Sequence, residues 1–241
     1  MPGRTKRPSN APTNVANRLA DRPVVQLGFA MVLAAAVSIL LFGYGALRNQ
    51  SLEYEYLIWN LFLAGLPLMF ALMLLKVLPN RPWTDWQPLA LTVLWLGFLP
   101  NSFYLISDYI HLQDIVRIDI LYDVVMFSSF IFNGVTLGFL SLLLIHRELR
   151  HRATPQVAGW IVTLILLACS YAIFLGRDLR WNTWDIIFNP AGILFDVSDR
   201  FIRFGQDSQM VLTTAVFFML LGSSYLILWR GLIAAKALKQ R

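Results

Sequence analysis

The sequence predicts an all-α membrane protein: a six-helix transmembrane bundle with an amphipathic helix in its last extracytoplasmic loop. Three observations carry this expectation. The chain of 241 residues is 57% hydrophobic and only 14% charged, against about 25% charged for an ordinary soluble domain. Its mean hydropathy of +0.60 is concentrated in continuous stretches. Six of these are long enough to cross a hydrocarbon core of about 30 Å, which takes about 20 helical residues. Because the stretches do not alternate, and far exceed the roughly 9 to 11 residues of a barrel strand, they read as helices. A soluble globular protein is excluded.

Taken in order, residues 1–23 are basic, rich in Pro and Asn and without hydrophobic periodicity; they are expected to form a disordered cytoplasmic tail. A cleaved signal peptide would have an apolar core of about 7 to 15 residues followed by small residues. The first run is longer, from Val24 to Leu47, and closes on Tyr44-Gly45-Ala46-Leu47-Arg48, so it reads as an uncleaved helix. The next five fall at about Tyr56 to Leu78, Pro88 to Ile106, Ile120 to Ile145, Gln156 to Gly176 and Met210 to Trp229. The transmembrane domain is thus 24–230, followed by a basic cytoplasmic end, 231–241. Pro67 and Pro100 lie inside the second and third runs, where each ring removes a donor and frees the carbonyl of Leu63 or Leu96. Such positions are plain kinks in some membrane helices and binding-site breaks in others.

The long segment from Arg177 to Gln209 is dense in Trp, Asp and Arg. Within it Asn189 suits an N-cap, Pro190 the first helical position and Gly205 the position after the last turn. Ile193, Leu194, Val197, Phe201 and Phe204 recur at helical spacing between them. An amphipathic helix is expected there, lying on the outer membrane surface or packed over the bundle mouth.

Lys and Arg in loops resist translocation and so set orientation. Fourteen of the twenty fall on one side: Arg4, Lys6, Arg7, Arg18 and Arg22, then Lys76 and Arg81, then Arg147, Arg150 and Arg152, then Arg230, Lys236, Lys239 and Arg241. Only Asp21, Asp85 and Glu148 accompany them, for a net +11. The other side holds six Arg and eleven acidic residues, a net −5. Both termini are expected in the cytoplasm of a plasma membrane. The overall +6 reads as orientation rather than as a nucleic-acid footprint, and the expected partner is the lipid bilayer.

The chemistry-bearing residues gather on the acidic side. Asp123, Phe127, Phe130, Gly134, Gly138 and Ser141 share one narrow face of the fourth helix at 100° per residue. That face contains Gly134-x-x-x-Gly138, a spacing that admits a close helix neighbour. Asp123 is therefore expected to point into the bundle, as a functional carboxylate or a structural ion pair with Arg177 or Arg180. After Pro100 and Asn101, the third run ends with Asp108 and His111 three residues apart and Asp114 nearby. A carboxylate beside an imidazole is a weak metal or proton site, or simply interfacial polarity. In Gly176-Arg177-Asp178-Leu179-Arg180-Trp181-Asn182-Thr183-Trp184-Asp185, two guanidiniums beside Trp faces suit either an anion or interface anchoring. Cys169, the single cysteine, lies in an apolar run and reads as a buried hydrophobe. His146 and His151 sit in a basic stretch and read as solvated cytoplasmic anchors. His-Glu-x-x-His, Gly-x-Ser-x-Gly and Gly-Lys-Ser/Thr are all absent. No cofactor is expected.

Three blocks carry a resemblance: Pro100-Asn101-x-x-Tyr104-Leu105-x-x-Asp108-x-x-His111-Leu112, then Tyr122-Asp123, then Gly176-Arg177-x-x-Arg180-Trp181-Asn182-x-Trp184-Asp185. Together they resemble the signature of a bacterial membrane family, domain of unknown function 1361. The resemblance implies a bacterial plasma-membrane protein and supplies no reaction. Three functions stay open: a non-enzymatic membrane binding or assembly protein, a small-solute or ion transporter using Asp123, and a membrane-embedded enzyme acting on an outer-leaflet lipid or envelope substrate. In each the candidate polar site is Asn101, Asp108, His111, Asp123, Arg177, Arg180, Trp181, Asn182 and Asp185.

Overall fold

A computed structural model describes residues 22–114, 120–178, 191–192, 198 and 208–239. Its long elements are α1 (Arg22–Asn49), α2 (Tyr56–Val77), α3 (Trp86–Tyr104), a 3-10 helix (Leu105–Asp114), α4 (Ile120–Arg152), α5 (Pro155–Asp178) and α6 (Ser208–Lys239). Six helices are long and apolar enough to cross a membrane, at the six places the hydropathy marks. Among the described residues there is no strand. Most of the proposed amphipathic segment, and Arg180, Trp181, Asn182 and Asp185 with it, lies outside the described residues.

Local chemistry explains the helix ends. After α1, Gln50 adopts φ 49°, and the Ser51 N–H donates to the Ala46 carbonyl at 3.2 Å. That is the six-to-one closure of a helix by a left-handed residue. The Ser51 hydroxyl then accepts from the Glu53 N–H at 3.2 Å, turning the chain into α2. Pro155 opens α5, where its missing donor costs nothing, and the Thr154 hydroxyl accepts from the Val157 N–H at 3.4 Å. Pro67 and Pro100 end neither helix; α2 and α3 run through them.

α4 is the centre of the bundle. Half of its apolar window is buried in protein, against 11% for α1 and for α6, the two outer helices. α2, α3 and α4 pack on one another, α5 lies against α3 and α4, α6 against α5, and α1 against α4. The face of α4 that carries Asp123, Phe127, Phe130, Gly134, Gly138 and Ser141 is buried at all six positions. A Cβ on Gly134 would lie 2.8 Å from the Ser102 carbonyl oxygen, and one on Gly138 would lie 2.7 Å from the Ser102 Cβ. The two glycines thus let the end of α3 press directly on the α4 backbone.

Hydrogen bonds between helices reinforce this contact. The Ser102 hydroxyl donates to the Ala64 carbonyl of α2 at 2.9 Å. Trp95 Nε1 donates to the Ser141 hydroxyl at 3.3 Å, and Asn133 Nδ2 to the Ser38 hydroxyl of α1 at 2.9 Å. Each such bond is worth about 0.6 kcal/mol in a membrane protein. At the end where the α2–α3 and α4–α5 turns meet, His146 departs from the expected solvated anchor. It is buried, shares a 2.8 Å hydrogen bond with the Tyr225 hydroxyl and stacks on Trp229 with centroids 4.0 Å apart. The cause is its place at the very start of the basic stretch, on a face of α4 that meets two aromatic rings of α6.

Candidate functional site

The opposite end of the bundle gathers the α1–α2 turn, the 3-10 helix, the first turns of α4 and the last turn of α5. Its polar residues occupy two neighbouring places joined by aromatic rings. The first centres on Asp108. The chain reaches it through α3, whose last turns carry Asn101, with its amide donating to the Phe98 carbonyl at 3.1 Å. The tighter 3-10 winding then turns Asp108 into the protein, where it is 3% exposed and its Oδ2 accepts from Asn60 Nδ2 at 3.1 Å.

His111 stands three residues further, one 3-10 turn on. It is exposed, and its ring lies 5.3 Å from that of Tyr56. The Tyr56 hydroxyl is buried and has no hydrogen-bond partner among the described residues. Beside it, Tyr109 and Ser128 share a 2.7 Å hydrogen bond that ties the 3-10 helix to α4. Among the described residues no group of three or more His, Cys, Asp or Glu converges as a metal would require.

The second place centres on Asp123, also 3% exposed. It lines a small recess with Phe42, Gly45, Ala46, Asn49, Ser51, Tyr54 and Met126. The recess offers about 10 Å³, room for about one water molecule. Apart from Met126 of α4 itself, these neighbours come from α1 and the turn after it. Arg177 is exposed at the end of α5. The Tyr122 hydroxyl next to Asp123 donates to the Leu41 carbonyl of α1. Gly45 makes room for that ring: a Cβ there would lie 3.1 Å from Tyr122 Cε1.

Tyr54 joins the two places. Its ring packs edge-on against Phe127 at 5.0 Å and Tyr56 at 6.3 Å, so an aromatic wall runs from the Asp123 recess to His111. Sequence reasoning missed Asn60, Tyr56 and Tyr54 at this end. Asn60 did carry a signal, as a lone amide in the apolar run of α2, because a polar group there needs a partner within the bundle.

Six membrane-length helices and a polar, aromatic-walled mouth define a polytopic helical membrane protein. A family model described as "Protein of unknown function (DUF1361)" matches residues 59–223, so the chain belongs to that family. No curated protein and no solved structure was found to match it.

Proposed function

We propose that this protein is a non-enzymatic binding or assembly protein of the plasma membrane, with cytoplasmic termini and its working surface at the extracytoplasmic mouth. The observation that supports this most is that, among the described residues, several polar groups of the mouth are engaged with one another. Asp108 is spent on Asn60, Tyr122 on Leu41 and Tyr109 on Ser128, while the recess at Asp123 admits about one water. Such a mouth is a braced platform, and its exposed rim of Tyr109, His111 and Arg177 offers contact from outside. In this reading Asn101, Asp108 and Asp123 hold the platform, and His111 and Arg177, with Arg180, Trp181, Asn182 and Asp185, form the contact face.

The test places a photo-crosslinking amino acid at His111 or at Tyr109 in cells, and separately reconstitutes the protein into vesicles loaded with ion-sensitive dyes. Discrete, saturable crosslinked species from both positions, with no flux above protein-free vesicles, are the expected result. The charge asymmetry supports the orientation, and a periplasm-active reporter fused after Arg241 is expected to stay silent. The second reading, a transporter, draws on the buried carboxylate of Asp123 beside its recess. Flux that Asp123→Asn abolishes in a folded protein would establish it and displace the first reading.

A further inference from the structure

Two pairs of side chains face one another at the polar mouth. Tyr56 and Asn60, four residues apart, share a face of α2. Asp108 and His111, three apart, stand one turn from each other on the 3-10 helix. The pairs meet as two rungs. Asn60 Nδ2 donates to Asp108 Oδ2 at 3.1 Å, and the rings of Tyr56 and His111 lie with centroids 5.3 Å apart. Each rung includes a group whose bonding is incomplete. Asp108 is buried; among the described residues Asn60 is its hydrogen-bond partner, on one carboxylate oxygen of the two, and it forms no ion pair. The Tyr56 hydroxyl is buried with no hydrogen-bond partner among the described residues, and it lies within electrostatic reach of the Asp108 carboxylate.

One amide is a weak answer to a buried carboxylate, because a charge taken out of water calls for an opposite charge or a proton. A proton neutralises Asp108 but leaves the Tyr56 hydroxyl orphaned, and a bridging water reaches both groups but leaves the charge. A primary ammonium answers both needs. Its three N–H groups can donate to the free Asp108 oxygen and to the Tyr56 oxygen, and the Tyr56 ring favours a cation beside it. A divalent metal fits less well, since among the described residues no group of three or more His, Cys, Asp or Glu converges. The approach lies past His111, which is exposed, as are Tyr109 and Ile110 beside it. These residues close a membrane-length segment, where an exposed Tyr sits at headgroup level.

We infer that Asp108, Tyr56 and His111 form a binding site for a primary ammonium group, carried by a phospholipid headgroup or by a free amine. Asp108 supplies the charge, Tyr56 the second acceptor, and His111 the ring at the entrance. The inference rests on the reading of this mouth as a binding surface and names the class of ligand it takes.

Native mass spectrometry of the purified full chain, titrated with phosphatidylethanolamine or phosphatidylcholine of identical acyl chains, tests it, alongside thermal stabilisation by free ethanolamine. Choline has no N–H to donate, so phosphatidylethanolamine is expected to bind about tenfold more tightly. Stabilisation by ethanolamine without a lipid preference assigns the same site to a free amine; the absence of both effects overturns the inference. Asp108→Asn is expected to weaken binding about tenfold or more, and Tyr56→Phe about fivefold. Tyr56→Phe removes a hydroxyl that the packing leaves unpartnered, so it should keep its stability while losing affinity, and it decides the matter even if Asp108→Asn fails to fold. Glu55→Gln removes an exposed acid next to Tyr56 and is expected to leave binding unchanged. Full affinity in a folded Tyr56→Phe chain would overturn the site, as would a loss in Glu55→Gln equal to that in Tyr56→Phe, which marks diffuse charge. Crosslinks from His111 or Tyr109 in cells report on the underlying reading by itself, so that reading can stand while this site falls.

Discussion

Replacing Gly138 by Ala tests whether the contact between α3 and α4 is as tight as the packing requires. The new methyl would lie 2.7 Å from the Ser102 Cβ and 2.9 Å from two ring atoms of Phe103. Neither neighbour can yield freely. Phe103 is completely buried, and Ser102 is held to α2 through its bond to the Ala64 carbonyl. Forcing a methyl into such a contact costs about 1–3 kcal/mol. Alanine also gains about 1 kcal/mol over glycine in a helix interior, so the single variant alone mixes two opposed effects. Gly222→Ala separates them, because Gly222 is interior to α6 and a methyl added there would meet nothing within 4 Å. The propensity gain is then common to both, and the difference isolates the contact: Gly138→Ala should be about 1–3 kcal/mol less stable than Gly222→Ala. Reversible unfolding of detergent-solubilised protein by titrated denaturing detergent, followed by circular dichroism, measures that difference. Equal stabilities would refute the close approach of α3 to α4, and with it the reason given for two glycines one turn apart.

Three further outcomes are expected. His146→Ala removes both the Tyr225 hydrogen bond and the Trp229 stack and should destabilise by about 1–3 kcal/mol in the same assay; a neutral result would return His146 to the role of a solvated anchor. Asn60→Leu leaves the buried Asp108 carboxylate without its amide donor and should cost about 1–3 kcal/mol, much of it recovered when Asp108→Asn is added; no recovery would argue that the two do not act as a pair. Cys169 is buried within the core of the bundle, so alkylation by a water-soluble maleimide should proceed only as fast as the protein unfolds, and rapid labelling of the folded form would contradict that placement.

What the sequence made legible was the property each helix carries within itself. Continuous apolar runs located all six spans, because hydrocarbon thickness fixes their length. The buried face of α4 was readable because helical periodicity sets which residues lie together. Pairings across the chain were not readable. Asn60 meets Asp108 from 48 residues away, His146 meets Tyr225 from 79, and Asn133 meets Ser38 from 95. In each case the local sequence supplies a polar group that needs a partner but leaves the partner unspecified. Asp123 illustrates the difference. Its inward direction follows from its own helix, whereas its neighbours on α1 depend on which helix docks against α4.

The sparse burial of α1 bears on the order of assembly. α1 has the highest mean hydropathy of the six spans, 2.3, and its docking partner α4 begins only at Ile120. It must therefore be stable as a solitary helix in lipid while α2 and α3 are still being inserted. Its chemistry suits that wait: the Ser38 hydroxyl can donate to the Ala34 carbonyl of its own helix at 3.3 Å, so no polar group is stranded before Asn133 arrives to share it. Assembly can then proceed with α1 as an early, self-sufficient anchor, onto which α4 later closes through Asn133 and Tyr122.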